Sequence, residues 1–479
     1  MSAMETIAIA GASGFVGSAL RRALADRFRF RALTRSPVVA SSAPADWNTE
    51  WRQCDLFSLP QLGGALAGVR RAVYLVHSML PSARLNQSRF EDLDLLLADN
   101  FARMAAANGL EEIIFLGGLI PEGDGLSPHL RSRLEVESAL GSTGIPVTRL
   151  RAGVIAGPGG SSLRILVNLI RRLPVMVLPQ WVNARTRCIA IDDLVAAFRI
   201  VLEEPQWRGG CYDLAGPDAL TYRRMIETGA EVFALRRLLL TVPVRSVRIS
   251  KLWIRVFSGA PRSLVSPLVD SLRHDLDAAP NPLLDRILPG AKTFEASLRD
   301  SCDAEGHLLP NPRERTQAQD SRRLRDERRV RSVQRVVLPA GWRAEGVART
   351  YLQWLESVFR PLLSVRGATD GRIAVHLFPF AAPVIVLERD SGSGGAPDPC
   401  VFHIVGGLLT SPAAEPPGRF EFREVGGQRY VITAIHAYRP RLPWHFYNGT
   451  QALLHLFVMR AFGTYLRGEA RRVAESAEL

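Results

Sequence analysis

Short apolar runs alternate with stretches of helical periodicity over the first part of the chain. Thr6 to Ala10, Phe28 to Thr34, a short extended segment before Cys54, Ala72 to Val76, Glu112 to Leu116 and Val147 to Arg151 read as strands. Asp92 to Asn108 and the segment opening at Ser127 space their apolar residues as helices do. Strands separated by helices in this way predict a mainly parallel sheet covered on both faces. Beyond Val330 the pattern changes. A helix is expected over Val347 to Leu363, then strands over Ile373 to Leu377, Val384 to Leu387, Val401 to Leu409, Phe420 to Val425 and Tyr430 to Ala437, and a last helix over Phe446 to Leu466. Turns such as Asp390 to Asp398 are short enough to make this second sheet antiparallel.

The expected architecture is therefore α/β: an N-terminal doubly wound parallel sheet over 1–300, with a substrate lobe made mostly after residue 150, and a C-terminal α+β domain over 331–479 with an antiparallel sheet and a long C-terminal helix. The polar, arginine-rich stretch 301–330 offers little to bury and reads as the linker. Within 240–300, Trp253, Phe257, Leu268, Leu272 and Asp275 suit helices that cover the substrate lobe and suit core packing equally.

The chemistry begins at the first strand, which runs into Gly11-Ala12-Ser13-Gly14-Phe15-Val16-Gly17 and then into a helix. Gly11 suits a tight turn, Gly14 lets main-chain amides approach a diphosphate, and Gly17 lets the helix pack closely on the strand. The opened helix end favours negative charge. The motif thus predicts a Rossmann-type dinucleotide site. Arg35 stands at the end of the second strand, where an acidic residue would bind a ribose 2′-OH; an arginine there favours a 2′-phosphate, so NADP(H) is expected over NAD(H). Asp55 and Leu56 are candidates for the adenine edge, with a helix N-cap as the alternative for Asp55. Val76, His77, Gly117 and Arg151, at the carboxyl ends of later strands, complete the candidate cofactor contacts.

Several motifs in order resemble the atypical or extended short-chain dehydrogenase/reductases, specifically the bacterial NAD(P)H-binding branch that carries an extra C-terminal domain. They are the glycine motif, Tyr74-Leu-Val-His-Ser-Met79, Phe115-Leu-Gly-Gly-Leu119, Ser127-Pro-His-Leu-Arg-Ser-Arg133, Leu150-Arg-Ala-Gly153, Arg187-Cys-Ile-Ala-Ile-Asp-Asp-Leu194 and Tyr212-Asp-Leu-Ala-Gly-Pro217. The resemblance covers roughly the first 300 residues and implies an oxidoreductase. The C-terminal pattern resembles a START-like helix-grip domain, whose members enclose hydrophobic ligands; Gly418-Arg-Phe-Glu-Phe-Arg-Glu424 and Arg439-Pro-Arg-Leu-Pro-Trp444 look like the domain accompanying this branch.

The chain departs from the superfamily where catalysis is concerned. Its reductases use a Tyr-x-x-x-Lys pair and a serine, but the lysines here are Lys251 and Lys292, neither with a tyrosine four residues earlier, and Gly117-Gly118 stand where the serine belongs. In their place is His129-x-x-x-Arg133. In one reading His129 moves the proton, Arg133 holds the ribose or a substrate oxygen, and His77 or Ser78 polarises a carbonyl; histidine titrates near neutral pH and suits this. In the other, His129 caps a helix, Arg133 pairs with Glu137, and the dinucleotide is only held. The first makes the protein a reductase of a hydrophobic carbonyl or quinone-like compound; the second makes it a binding or sensor protein with a lipid-like ligand in the C-terminal domain.

Composition changes little in this picture. The net charge of +13 comes almost wholly from arginine. No aromatic residues interleave with the arginines of the linker as stacking on bases would need, so no nucleic-acid partner is expected. Five scattered cysteines without a Cys-x-x-Cys pair predict reduced structural thiols and no metal site. No leader precedes the first strand and no apolar run reaches the ~20 residues that span a bilayer. The expectation is a cytoplasmic protein, with peripheral membrane contact by the last helix as a further option. His436, Trp444, His445, Gln451 and His455 are candidate polar contacts of a C-terminal pocket, against which stands the reading of each as a satisfied core residue, the commoner state of a histidine on an apolar helix.

Overall fold

The computed structural model describes residues 4–37, 39, 48–78, 86–121, 125–242, 274–310, 330–367, 371–390, 399–411, 417–425, 427 and 429–477, and at 86, 87, 444, 445, 448 and 477 the backbone alone. The chain divides into two units, one of 1–80 with 97–318, the other of 81–96 with 319–479. Trp253, Phe257, Leu268 and Leu272, together with the arginines of 311–329, lie outside the described residues.

The first unit is built on a seven-stranded sheet. Its strands run in the order Cys211–Leu214, Val147–Ala152, Glu112–Gly118, Arg71–Tyr74, Thr6–Ala10, Arg29–Thr34, Thr49–Gln53. Every pairing in it is parallel. The strand Thr6–Ala10 is apolar from Ile7 onward because both of its faces are covered, and Ile7 to Ala10 are fully buried. The order reverses at Thr6–Ala10, which lies between the second strand and Arg71–Tyr74. Two connections leave that point in opposite directions, so a crevice opens at the carboxyl ends of these strands, where Gly11 and Leu75 to Ser78 sit.

After Ala152 the chain makes the helix Ser161–Arg172, the strand Val175–Pro179, the helix Tyr222–Val232 and the strand Leu238–Val242, the two strands pairing in parallel. Met176 and Leu178 point into a separate apolar core with Val167, Ile170 and Met225, while Val175 and Val177 point outward. Asp275 accepts a hydrogen bond from the Arg185 amide, 2.7 Å, and so ties the chain back onto this lobe.

The second unit has a seven-stranded antiparallel sheet in the order Leu363–Gly367, Arg372–Leu377, Ile385–Arg389, Cys400–Gly406, Gly418–Val425, Tyr430–Tyr438, Val330–Val337. An eighth strand, Asn86–Ser88, adds in parallel to Val330–Val337. The first antiparallel strand, Val330–Val337, follows directly on the arginine-rich stretch and was not expected from the sequence. It forms because Val330, Val333 and Val336 are buried between Arg331, Gln334 and Arg335, with a bulge after Val330 that shifts the alternation and hides it. Arg335 pairs with Asp92 at 2.9 Å. Burial outweighs Arg335 and pushes the Asp92 carboxyl up to about 6.

The helices Ala344–Phe359 and Gln451–Ala477 share one face of this sheet. Tyr351 on the first meets Phe462 on the second at 5.0 Å between ring centroids and Phe420 on the sheet at 5.7 Å. The interior between sheet and helices is thus filled by rings. The last helix runs eleven residues beyond the expected Leu466, to Ala477. On its outer side Leu453, Leu454 and Phe457 are exposed. No described helix is long and apolar enough to cross a membrane.

Three of the candidate pocket residues are engaged within the unit. Gln451 donates to the Tyr438 hydroxyl at 2.7 Å, and His455 lies 3.1 Å from the Ser332 hydroxyl. His436 sits beside the buried Glu421. Burial resists ionisation of Glu421, but Arg423, with His436 and Arg419, holds its carboxyl below the ordinary carboxylate range. The side chains of Trp444 and His445 lie outside the described residues.

His455 makes the stability of this unit pH-dependent. Burial pushes its imidazole down to about 4. Below about pH 6.5 the unfolded chain takes up a proton that the fold refuses, so stability falls as the pH drops from about 6.5 to about 4. Asp92 acts in the opposite sense over an overlapping window, because the fold keeps its proton below about pH 6 while the unfolded chain loses it down to about pH 4. The difference between wild type and His455→Leu isolates the histidine. Between about pH 7.5 and about pH 4.5 wild type should lose about 2 kcal/mol relative to the variant, less than the full shift because the ring is only half-buried. Urea unfolding at the two pH values measures this, and a pH-independent difference would exclude a neutral buried ring.

Candidate functional site: the carboxyl edge of the parallel sheet

The opening loop has the shape its glycines predict. Gly11 has φ +92°, and a Cβ there would lie 3.2 Å from the Leu75 main chain. A Cβ on Gly17 would lie 2.5 Å from the Gly11 oxygen and 2.8 Å from the Ala12 Cα, closer than atoms can approach. The Gly14 amide donates to the Gly11 oxygen at 2.9 Å, closing the turn. Helix Phe15–Ala23 then starts at Gly14 with no side-chain cap and no acidic residue in its first turn. A helix start of this kind favours an anion, and the helix's own first turn brings no carboxylate to it. The loop therefore has the tight glycine turn and the uncapped helix start expected from the motif.

Around it the remaining candidates are placed as follows. Arg35 is exposed at the end of Arg29–Thr34. Asp55 is not an N-cap: its carboxylate accepts from the Phe57 amide at 3.2 Å, its own amide donates to Gln61 at 3.0 Å, and Ser58 caps the helix Leu59–Leu66. Leu56 is buried, its carbonyl accepting from Asn100 at 2.8 Å. Ser78 is half-buried beyond His77.

His77 and His129 come together although 52 positions separate them. Their rings stack with centroids 5.0 Å apart, and His77 Nε2 lies 3.3 Å from His129 Nδ1. His129 does not cap its helix, since the Ser127 hydroxyl accepts from the Leu130 amide and takes that role. The helix Pro128–Leu140 begins at the ring, and His77 follows Arg71–Tyr74 by three residues. Leu75, two residues before His77, is the residue against which Gly11 packs. The pair thus stands on the same edge of the sheet as the glycine loop.

Arg133 has a different setting from its neighbour. Its guanidinium donates to the Leu116 carbonyl at 2.7 Å and the Val76 carbonyl at 3.3 Å, and lies 4.7 Å over the Phe115 ring. It clamps the ends of two adjacent strands, one leading to His77 and the other to Gly117. Arg151 is drawn to Glu137, which it meets at 2.8 Å, and Arg149 reaches the same carboxylate at 3.1 Å. Glu137 thereby binds two guanidiniums of one strand.

A cavity of about 300 Å³ opens beside the loop. The turn Gly157 to Gly160 forms one wall, Leu163, Arg164, Val167 and Asn168 of helix Ser161–Arg172 another, and Leu308 closes it. A Cβ on Gly157 would lie 3.1 Å from Phe15, so the turn touches the middle of the glycine motif. The run Gly157-Pro-Gly-Gly160 before an amphipathic helix was the signal in the sequence, but which side chains face the cavity depends on the helix's orientation.

No family model matches the chain. Among curated proteins it is 30% identical over 112 residues to the auxiliary protein GraX of Staphylococcus aureus, a match covering 23% of this chain and 36% of that protein. The match thus spans little more than a third of the relative's length. Among solved structures, a nucleoside-diphosphate-sugar epimerase of Staphylococcus aureus is 18% identical, covering 61% of this chain and 99% of that one, with a TM-score of 0.49. The Citrobacter triphenylmethane reductase complexed with NADP(H) is 20% identical over 61% and 98%, and the NADPH-dependent quinone oxidoreductase of Escherichia coli 21% over 61% and 98%, both at a TM-score of 0.49. What those proteins bind or reduce belongs to them; the fold of this chain stands on its own strand order.

Proposed function

We propose that the first unit is an NADP(H)-dependent reductase of the atypical short-chain type, acting on a hydrophobic carbonyl or quinone-like compound. The observation that carries the reading is the His77–His129 contact at the edge where the glycine loop opens. NADPH held by the glycine loop would supply the hydride; the protein's own residues handle the proton. His129 gives the proton that the resulting alkoxide needs, and His77, within hydrogen-bond reach, resupplies it from solvent. Arg133 is a positioning residue, holding the carbonyls of Val76 and Leu116 so that the strand end bearing His77 stays in place. Gly11 through Gly17 hold the diphosphate, Asp55 and Leu56 the adenine side, and Arg35 the 2′-phosphate. Loss of NADPH absorbance against a panel of hydrophobic ketones and quinones tests the reading, and failure across the panel with NADPH bound would end it.

Arg35→Ala should weaken NADPH about tenfold to a hundredfold, the worth of one charged hydrogen-bonding partner, and leave NADH nearly unchanged. Fluorescence titration with both nucleotides measures it, and equal losses would remove Arg35 from 2′-phosphate recognition.

One observation favours a second reading, a binding or sensor protein. The second unit sets Val330–Val337 beside Tyr430–Tyr438 and two helices on one face, an arrangement that supports a START-like helix-grip reading with a lipid-like ligand. The ring-filled interior weighs against a large ligand there. NADPH binding without turnover, together with a co-purified lipid, would favour this second reading over the first.

A further inference from the structure

One end of the antiparallel sheet in the second unit gathers large apolar side chains in solvent. The register sets Leu363 against Leu377, Val375 against Ile385, Ile404 against Gly418 and Val330 against Tyr438. The loops after Leu377, Gly406 and Tyr438, and the chain before Leu363, therefore all stand at this end. Hydrogen bonds tie them together: the Phe378 amide donates to the Leu362 carbonyl at 2.8 Å, the Leu408 amide to Pro383 at 3.0 Å and the Arg441 amide to Leu409 at 3.0 Å. The last helix starts here too, since Gln451 reaches the Tyr438 hydroxyl. On the tip after Leu377, Phe378 is 71% exposed and Phe380 53%, with Leu362 beside them. At the helix start Phe446, Leu453, Leu454 and Phe457 are each more than half exposed. A lone exposed leucine is ordinary, but this many on adjoining tips mark a contact surface.

The charge around these side chains has one sign. Arg360, Arg441 and Arg460 are exposed beside them, and no acidic residue stands between Glu424 and Glu469. None of the described residues 357–363, 376–385 and 404–411 is acidic either, and Glu356, one turn before Arg360, is half-buried. Arg460 follows Phe457 by three positions and so continues the same side of the helix, about 10 Å along the axis from Leu453.

We propose that this end of the second unit docks on an anionic lipid surface, its exposed phenylalanines and leucines entering the acyl boundary while the arginines meet the headgroups. Apolar faces of this kind sink about 5–10 Å into the interface, which is where Arg460 follows on the helix. No described helix is long and apolar enough to go further and span. A second copy of the chain fits less well. A two-fold contact through this end would bring each set of arginines against itself, with no described carboxylate on the tips to pair with them. An anionic surface gives the same guanidiniums oxygen acceptors, and apolar and electrostatic attraction then act together. A chain held there works where hydrophobic carbonyl or quinone-like compounds concentrate. That accords with the reductase reading without depending on it.

Sedimentation of the full chain with vesicles tests this, using phosphatidylcholine alone and phosphatidylcholine mixed with phosphatidylglycerol. The mixed vesicles should bind at least about tenfold more tightly, and added salt should weaken them toward the neutral ones. Phe378→Ser with Phe380→Ser, and separately Leu454→Ser with Phe457→Ser, should each lower affinity for the mixed vesicles about tenfold or more. All four side chains are exposed, so the fold should stay, which a thermal melt checks. Arg360→Gln, Arg441→Gln and Arg460→Gln together should erase the preference for the charged lipid and leave binding to the neutral vesicles unchanged. Val175→Ser with Leu240→Ser, at exposed apolar positions of the first unit, is the control and should change nothing. No binding to the mixed vesicles, equal binding to both compositions, full affinity in both tip variants, or an equal loss in the control would each overturn the proposal. A dimer that both tip variants dissolve, with no lipid binding, would overturn it in favour of a second copy.

Discussion

His129→Ala should lower kcat for NADPH-dependent carbonyl reduction by about two to four orders of magnitude, the range supplied by a positioned general acid. NADPH affinity should hardly change, because His129 is not one of the residues that hold the nucleotide in this reading. The expectation follows from the stacked pair: with Nε2 of His77 3.3 Å from Nδ1 of His129, one ring donates and the other accepts, so a proton can be held between them. His77→Ala should cost less than His129→Ala if His129 is the donor, and the double variant should cost no more than His129→Ala alone, because a relay fails as a unit. His129→Gln keeps the side chain's reach without a transferable ring proton, so the fall of rate with rising pH that a general acid produces should disappear from its pH–rate profile. Turnover retained in His129→Ala would remove the histidine from the mechanism and leave the pair a packing contact.

Gly17→Ala should have the second large effect, on the cofactor site itself. A methyl group there meets the Gly11 oxygen at 2.5 Å and the Ala12 Cα at 2.8 Å, both main-chain atoms that cannot swing aside. Either helix Phe15–Ala23 moves off the strand or the loop opens, at about 1–3 kcal/mol of overpacking strain, and the amides that face a diphosphate lose their alignment. NADPH affinity should fall at least about thirtyfold, the equivalent of about 2 kcal/mol. Gly64→Ala is the control: it lies exposed in helix Leu59–Leu66 with nothing within 4 Å of the added methyl, and should be neutral or stabilising by up to about 1 kcal/mol. Titration by nucleotide fluorescence with a thermal melt of each variant separates the two outcomes. Undiminished NADPH binding in Gly17→Ala would mean that the loop is not the diphosphate cradle.

Much of the first unit was legible before any coordinates. Its strands announce themselves because a strand covered on both faces must be apolar throughout, and its glycine motif because only glycine fits that loop. The second sheet was legible where alternation is clean, as in Tyr430–Tyr438, and illegible in Val330–Val337, where a bulge and flanking arginines disguise the buried valines. Segment 81–96 carries no local sign that it belongs with residues far along the chain. It joins the second unit through the ladder between Asn86–Ser88 and Val330–Val337 and the pair Asp92–Arg335, partners more than 240 positions distant.

For the candidate site the division runs along the same line. The chain by itself determined the alternation of strands and helices in the first unit, the glycine loop and the presence of His77, His129 and Arg133 near strand and helix ends, since these follow from local spacing and from what a backbone position tolerates. Only the tertiary structure decided that His77 and His129 stack, that Arg133 holds two carbonyls, that Arg151 meets Glu137, and that Arg164 and Asn168 line a cavity. Those outcomes depend on sheet register and on the rotation of each helix about its axis, which are set by packing among residues distant in sequence and leave no mark on the pattern of any one segment.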